Sequence, residues 1–274
     1  MVQFKPVKTL SYKGTPVDQW PSELDLPDTD NQPVDNELQI LLPALLRSIL
    51  ALVWAERSDW FLGVNIGFYY DPDRPAVGPD AFLSLGVPTY RPDKDLRLSY
   101  VLWHEGVVPQ WVLEVVSQKP GKEYTRKMEL YADLGVKYYT IYNPKHYRRG
   151  NHDPFEVYQL VDGAYERLQG NPVWMPEIGL GIGVNQGRHS ALPTRNWLYW
   201  YDAAGNQYPS PDRIIENMTQ EAQQAQQKIQ QAQQEIQQAQ QEAQQAQQQL
   251  EAERLQREAL FQKLRDRGID PDTL

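Results

Sequence analysis

The chain has no cysteine in its 274 residues. Disulfides and thiolate-held zinc are therefore excluded, and a reducing compartment is the natural setting. Histidine is nearly as scarce. His104, His146, His152 and His189 are scattered, without the spacing of a metal-ligand set. Long apolar runs are missing too. The longest, residues 38–54, is interrupted by Pro43 and Arg47 and is too short and broken to span a bilayer. It is predicted to be an amphipathic helix. The opening Met1-Val2-Gln3-Phe4-Lys5-Pro6 lacks the apolar centre of a signal peptide, so the expectation is a cytoplasmic protein with no membrane partner. Excess positive charge is also absent. The formal net charge is −9, whereas a general nucleic-acid binder is usually basic. This counts against broad non-specific DNA binding. It leaves room for a local basic groove, or for a substrate held partly through metal ions.

What is present divides in two. Up to about residue 210 the chain is aromatic-rich and varied; beyond the Pro and Ser cluster at 209–211 it is dominated by Gln, Ala and Glu. The predicted units are therefore residues 1–210 and a tail of residues 211–274. In the tail Ile215, Met218, Ala222, Ala225, Ile229, Ala232, Ile236, Ala239, Ala243, Ala246 and Leu250 follow alternating steps of three and four, the seam of a heptad repeat. The seam meets Glu253 and Arg257 and recovers at Leu260 and Leu264. One long helix is predicted over 212–266, stopped at Gly268 with Pro271 beyond. At ~1.5 Å per residue, fifty residues make a rod of roughly 75 Å. A seam so rich in alanine buries little area, so any self-association or docking on a related helix is weak per turn.

The first unit mixes helices and strands. Apolar residues at helical spacing predict a helix from Leu38 to Val53, capped by Asp35 or Asn36. Strands are predicted at 61–70, 81–85 and 98–103, then around Glu114, then over "VKYYTIYNP" after a helix at 122–134 that Gly135 ends. A hairpin at Asp162-Gly163 and short strands to about residue 201 follow. Strands interleaved with helices predict an α/β fold with a mixed sheet flanked by helices.

One strand poses a chemical question. Trp111-Val112-Leu113-Glu114-Val115-Val116 is apolar almost throughout, the pattern of a strand buried on both faces. A buried carboxylate without a partner is very costly, so Glu114 needs one. Asp80 opens the apolar stretch after Pro79, and by itself it reads as a turn residue. Glu123, Lys127 and Tyr131 are spaced by four and share a helix face, and an ordinary surface pair of Glu123 with Lys127 accounts for that spacing. Taken together, an Asp at one strand start, a Glu in the next buried strand and a Lys on the following helix form one compact cluster if the elements are adjacent. Two carboxylates with a backbone carbonyl suit Mg²⁺, and a nearby ammonium suits an attacking water and developing negative charge.

The blocks "PDAFLSLG", "LEVVS", "KMELYADLGVKYYTIYNP" and "VWMPEIGLGIG" resemble the Uma family of proteins assigned as restriction endonucleases, abundant in cyanobacteria and part of the PD-(D/E)xK nuclease superfamily. The resemblance covers about residues 25–205. It implies a restriction-endonuclease-like core followed by a helical coiled-coil tail. It implies Asp80 and Glu114 as metal-binding acids, with the Val115 carbonyl as a further ligand and Mg²⁺ or Mn²⁺ as cofactor. The lysine usual two positions after the second acid is replaced by Val116, and the resemblance implies Lys127 in its stead. Ser117 and Glu37 are implied as accessory residues; Glu123 and Tyr131 are further accessory candidates from their spacing with Lys127.

The reaction this implies is hydrolysis of DNA phosphodiester bonds, leaving a 5′-phosphate, by an endonuclease that dimerises or docks on a related partner through its tail. A second reading stays open: a non-catalytic binding or assembly module that keeps the nuclease fold and works through the coiled coil.

Overall fold

A computed structural model describes residues 12, 14–27, 36–92, 94–118, 122–266 and 268. Helix α1 (Leu38–Val53) begins where Asn36 Oδ1 accepts the Leu38 N–H at 3.0 Å, the bond expected of an N-cap. Asp35, the alternative cap, lies outside the described residues. The helix buries Leu42, Leu45, Leu46, Ile49 and Leu50, the stripe its periodicity predicts.

The elements after it are β1 (Trp60–Val64), β2 (Phe68–Tyr69), β3 (Ala81–Leu85), β4 (Tyr100–Val101), the short α2 (Leu102–Glu105), β5 (Trp111–Val115), α3 (Arg126–Leu134) and β6 (Tyr138–Tyr142). Then come β7 (Phe155–Val161), β8 (Ala164–Leu168), β9 (Val173–Met175), β10 (Leu180–Gly187), β11 (Arg195–Tyr201) and α4 (Pro211–Asp266). Three sequence expectations shift. The strand expected at 61–70 divides into β1 and β2, because Asn65 turns the backbone to φ +47°. The one expected at 98–103 is extended only at Tyr100 and Val101 before α2 begins. The helix expected from 122 starts at Arg126, because Lys122 adopts φ +69° and residues 123–125 form a turn. It ends as expected at Gly135, at φ +84°.

The main sheet has the order β1-β3-β5-β6-β7-β8. Its one parallel pair is β5 with β6, joined through α3; its other neighbours are antiparallel. A second sheet has the order β11-β10-β9, and β2 pairs with β4. Side chains alternate along a strand, so β5 feeds two cores. Trp111, Leu113 and Val115 join α1 and the β9–β11 sheet on one side. Val112 joins Phe82, Tyr131, Tyr139 and Ile141 on the side of α3. Both faces of β5 and β6 are therefore covered, which is why these strands read as unbroken apolar runs.

The chain forms two compact units, Met1–Arg213 and Ile214–Leu274. The second is built on α4, whose seam residues Ile215, Met218, Ile229, Ile236 and Leu250 are all exposed. No helix among the described residues is long and apolar enough to cross a membrane.

Candidate functional site

Glu114 is an even position of β5, so it faces α3 with Val112. β3 runs antiparallel beside it, with Ala81 opposite Leu113 and Phe82 opposite Val112. One step further, the same register sets Asp80 opposite Glu114 on the same face, where cross-strand side chains are nearest neighbours. Both acids are buried, at 7% and 2% exposure.

Two donors reach Glu114 from α3. Lys127 Nζ donates to Oε2 at 2.7 Å, and the Tyr131 hydroxyl donates to Oε1 at 2.8 Å. Lys127 and Tyr131 are one helical turn apart, so one face of α3 covers both carboxylate oxygens. Lys127 Nζ also lies 3.4 Å from the Gly78 carbonyl. Asp80 Oδ2 accepts the Val115 N–H at 2.6 Å. That bond locks the Asp side chain to the strand carrying Glu114.

The start of α1 ties the site together from the other side. Pro43 has no N–H to give the Gln39 carbonyl, the bond a regular helix would make. Asn65 Nδ2 donates to that carbonyl instead, at 3.1 Å, and the Asn65 N–H donates to the Asp80 carbonyl at 3.2 Å. Gln39 Nε2 in turn donates to the Val115 carbonyl at 3.1 Å.

The electrostatics follow from burial and crowding. Burial pushes the Asp80 carboxyl well above its usual range, and repulsion from Glu114 adds to the rise. Burial also raises Glu114, with the Lys127 ammonium and the Tyr131 hydroxyl partly offsetting it. Burial alone would lower Lys127, but the Glu114 carboxylate outweighs it and the ammonium is held above its usual value. Two buried carboxyls thus share one ammonium. Of the two, Asp80 is the group pushed furthest, since Lys127 and Tyr131 bond Glu114 directly.

Among the described residues no group of three or more His, Cys, Asp or Glu side chains is arranged to hold a metal ion. A cation here would rest on Asp80, Glu114 and the Val115 carbonyl, an all-oxygen set of the kind Mg²⁺ or Mn²⁺ accepts. The charge balance fits, because the buried cluster is one cation short.

The other residues singled out from the sequence are placed as follows. Ser117 is buried just beyond β5. Glu123 is buried in the turn before α3 rather than on the helix, and its carbonyl accepts the Tyr139 hydroxyl at 2.8 Å. Glu37 is exposed at the start of α1, and no hydrogen bond or ion pair among the described residues joins it to the cluster. Gln39, Asn65 and the Gly78 carbonyl were not foreseen. Pro43, four residues after Gln39, is the one sequence signal that pointed there, since it leaves a carbonyl in want of a donor.

A mixed sheet whose central parallel pair carries an acid, faced by a second acid and backed by a lysine-bearing helix, defines the restriction-endonuclease-like class. The family model Uma2, "Putative restriction endonuclease", matches residues 31–186, and the chain belongs to this family. Nuclease function is the activity that this membership indicates. No curated protein matches the chain.

Proposed function

We propose that the chain is a metal-dependent endonuclease that hydrolyses DNA phosphodiester bonds. The observation that carries this reading is the β3–β5 register, which sets Asp80 beside Glu114 on one buried face with Lys127 in contact. Asp80, Glu114 and the Val115 carbonyl are the residues we assign to a divalent cation, Mg²⁺ or Mn²⁺, which would supply Lewis acidity at the phosphoryl oxygens. The Lys127 ammonium positions the attacking water and stabilises the charge that develops on phosphorus oxygens. Tyr131 holds the second oxygen of Glu114 and so fixes the carboxylate plane. Water attacks phosphorus in line, the bond to the 3′ oxygen breaks, and the cut chain carries a 5′-phosphate. Residues 1–210 would form the nuclease domain, working in the cytoplasm. Residues 211–274 would be a coiled-coil arm that joins two copies or docks on a related helix.

A second reading has one observation in its favour. Both Glu114 oxygens already accept protein hydrogen bonds, which is how a purely structural buried acid is satisfied. On that reading the fold is a binding or assembly module.

Incubation of plasmid, linear and single-stranded DNA with the protein and Mn²⁺ separates the two. Wild type should cut and Glu114→Gln should not. If neither cuts any substrate in Mg²⁺ or Mn²⁺, the enzyme reading fails and the module reading stands.

A further inference from the structure

Two loops leave the C-terminal ends of the parallel neighbours β5 and β6, the end at which ligands bind in parallel α/β sheets. The described residues of the first are 116–118 and 122–125, and the second covers residues 143–152. They are stitched together. Val116 N–H donates to the Tyr142 carbonyl at 2.9 Å, and Arg149 donates to the Gln118 carbonyl at 2.6 Å. Asn143 Nδ2 donates to the Tyr124 hydroxyl at 3.2 Å, and the Tyr124 and His152 rings stack with centroids 3.6 Å apart. The second loop is also braced internally, by His146 N–H on Asn143 Oδ1 and His152 N–H on the Tyr147 carbonyl.

This braced surface carries Lys122 and Arg126 from the first segment and Lys145, Arg148 and Arg149 from the second, all exposed. No ion pair among the described residues joins any of the five to a carboxylate. Of the acids in and beside these segments, Glu123 is buried, Asp153 pairs with Arg167, and Glu129 lies on the first turn of α3 with no ion pair to Arg126 among the described residues. In a chain of net charge −9, five exposed cations without an ion pair on two adjoining segments oppose the global trend. Their mutual repulsion is relieved by a polyanion. Arg126 is on α3, the helix whose Lys127 and Tyr131 contact Glu114.

We propose that the two stitched loops form a phosphate-backbone grip, in which Lys122, Arg126, Lys145, Arg148 and Arg149 hold duplex DNA beside Asp80 and Glu114. The proposal rests on the reading of the chain as a protein that acts on nucleic acid. The ties between the segments lower the ordering cost at binding. The grip also explains how an acidic protein holds a polyanion: the affinity comes from one patch and not from overall charge.

The test is fluorescence anisotropy of the full chain with a labelled duplex in EDTA, over a range of KCl. Each phosphate contact contributes about −0.9 to the slope of log K against log salt, so five contacts give about −4.5. Lys145→Gln with Arg148→Gln, which leaves the Arg149 tie intact, should make the slope shallower by about 1.8. Lys122→Gln with Arg126→Gln should do the same from the other loop. Lys228→Gln, on α4, should leave it unchanged. If both double variants bind with the slope and affinity of wild type, or wild type binds no duplex, the grip is wrong. A Mn²⁺ cleavage assay beside it keeps the two readings apart. Cutting with unaltered slopes removes the grip alone, whereas altered slopes without cutting remove the nuclease alone.

Discussion

Lys127 reaches from α3 to place its ammonium 2.7 Å from Glu114 Oε2 on β5. The lysine side chain keeps 26% of its surface exposed while the carboxylate keeps 3%. The pair therefore stands between a surface ion pair and a wholly buried one, with its open side available to a substrate.

The first prediction follows from that pair. Lys127→Met leaves Glu114 buried without its cation, a loss on the order of 3 kcal/mol in urea unfolding. Cutting should fall at least a hundredfold. Lys127→Met combined with Glu114→Gln should regain most of the stability and none of the activity. A single Lys127→Met variant as stable and as active as wild type would show the pair to be incidental.

The second concerns pH. Asp80 and Glu114 both have folded-state values raised by burial, Asp80 well above 3.8 and Glu114 above 4.5. Above those usual values the unfolded chain has lost protons that the folded one still holds, so stability falls as pH rises toward the folded values. In EDTA the melting temperature should drop as pH rises above the usual carboxylate range toward the raised folded-state values. Asp80→Asn keeps an acceptor for the Val115 N–H and should flatten that drop, melting above wild type at the upper end. A wild-type profile that rises with pH there would contradict a raised Asp80 carboxyl.

The third concerns the cation. Mn²⁺ at about a hundred times its dissociation constant should stabilise wild type by about 2.7 kcal/mol. Neither Asp80→Asn nor Glu114→Gln should respond. Equal stabilisation of all three proteins would place the ion elsewhere.

The fourth concerns α4. Its seam exposes Ile215 at 63%, Ile229 at 59% and Leu250 at 70%, with alanine at many of the intervening seam positions. We expect the full chain to sediment as a homodimer at tens of micromolar and a chain ending at Ser210 to sediment as a monomer. If both sediment as monomers, the seam serves a different partner.

Some of this was written into the residues. The apolar runs around Glu114 and over residues 138–142 read as strands covered on both faces, and the heptad over 215–250 read as a long helix, because periodicity is a local property. The positions of Asp80 and Lys127 were legible through the family blocks, and a lone Pro-Asp or Glu-to-Lys spacing would not have singled them out.

The tertiary structure decided the rest. Register between β3 and β5 is not a property of either strand, yet it alone sets Asp80 opposite Glu114. The positive φ at Lys122 delays α3 to Arg126, which takes Glu123 off the helix and leaves Lys127 and Tyr131 as the two donors to Glu114. The five cations of the proposed grip are dispersed in sequence, and only the parallel pairing of β5 and β6 brings the segments that carry them together. Sequence fixes what each segment tends to be, since propensity and burial pattern act over a few residues. Which charges meet is fixed by long-range pairing, whose free energy exists only once the sheet has closed.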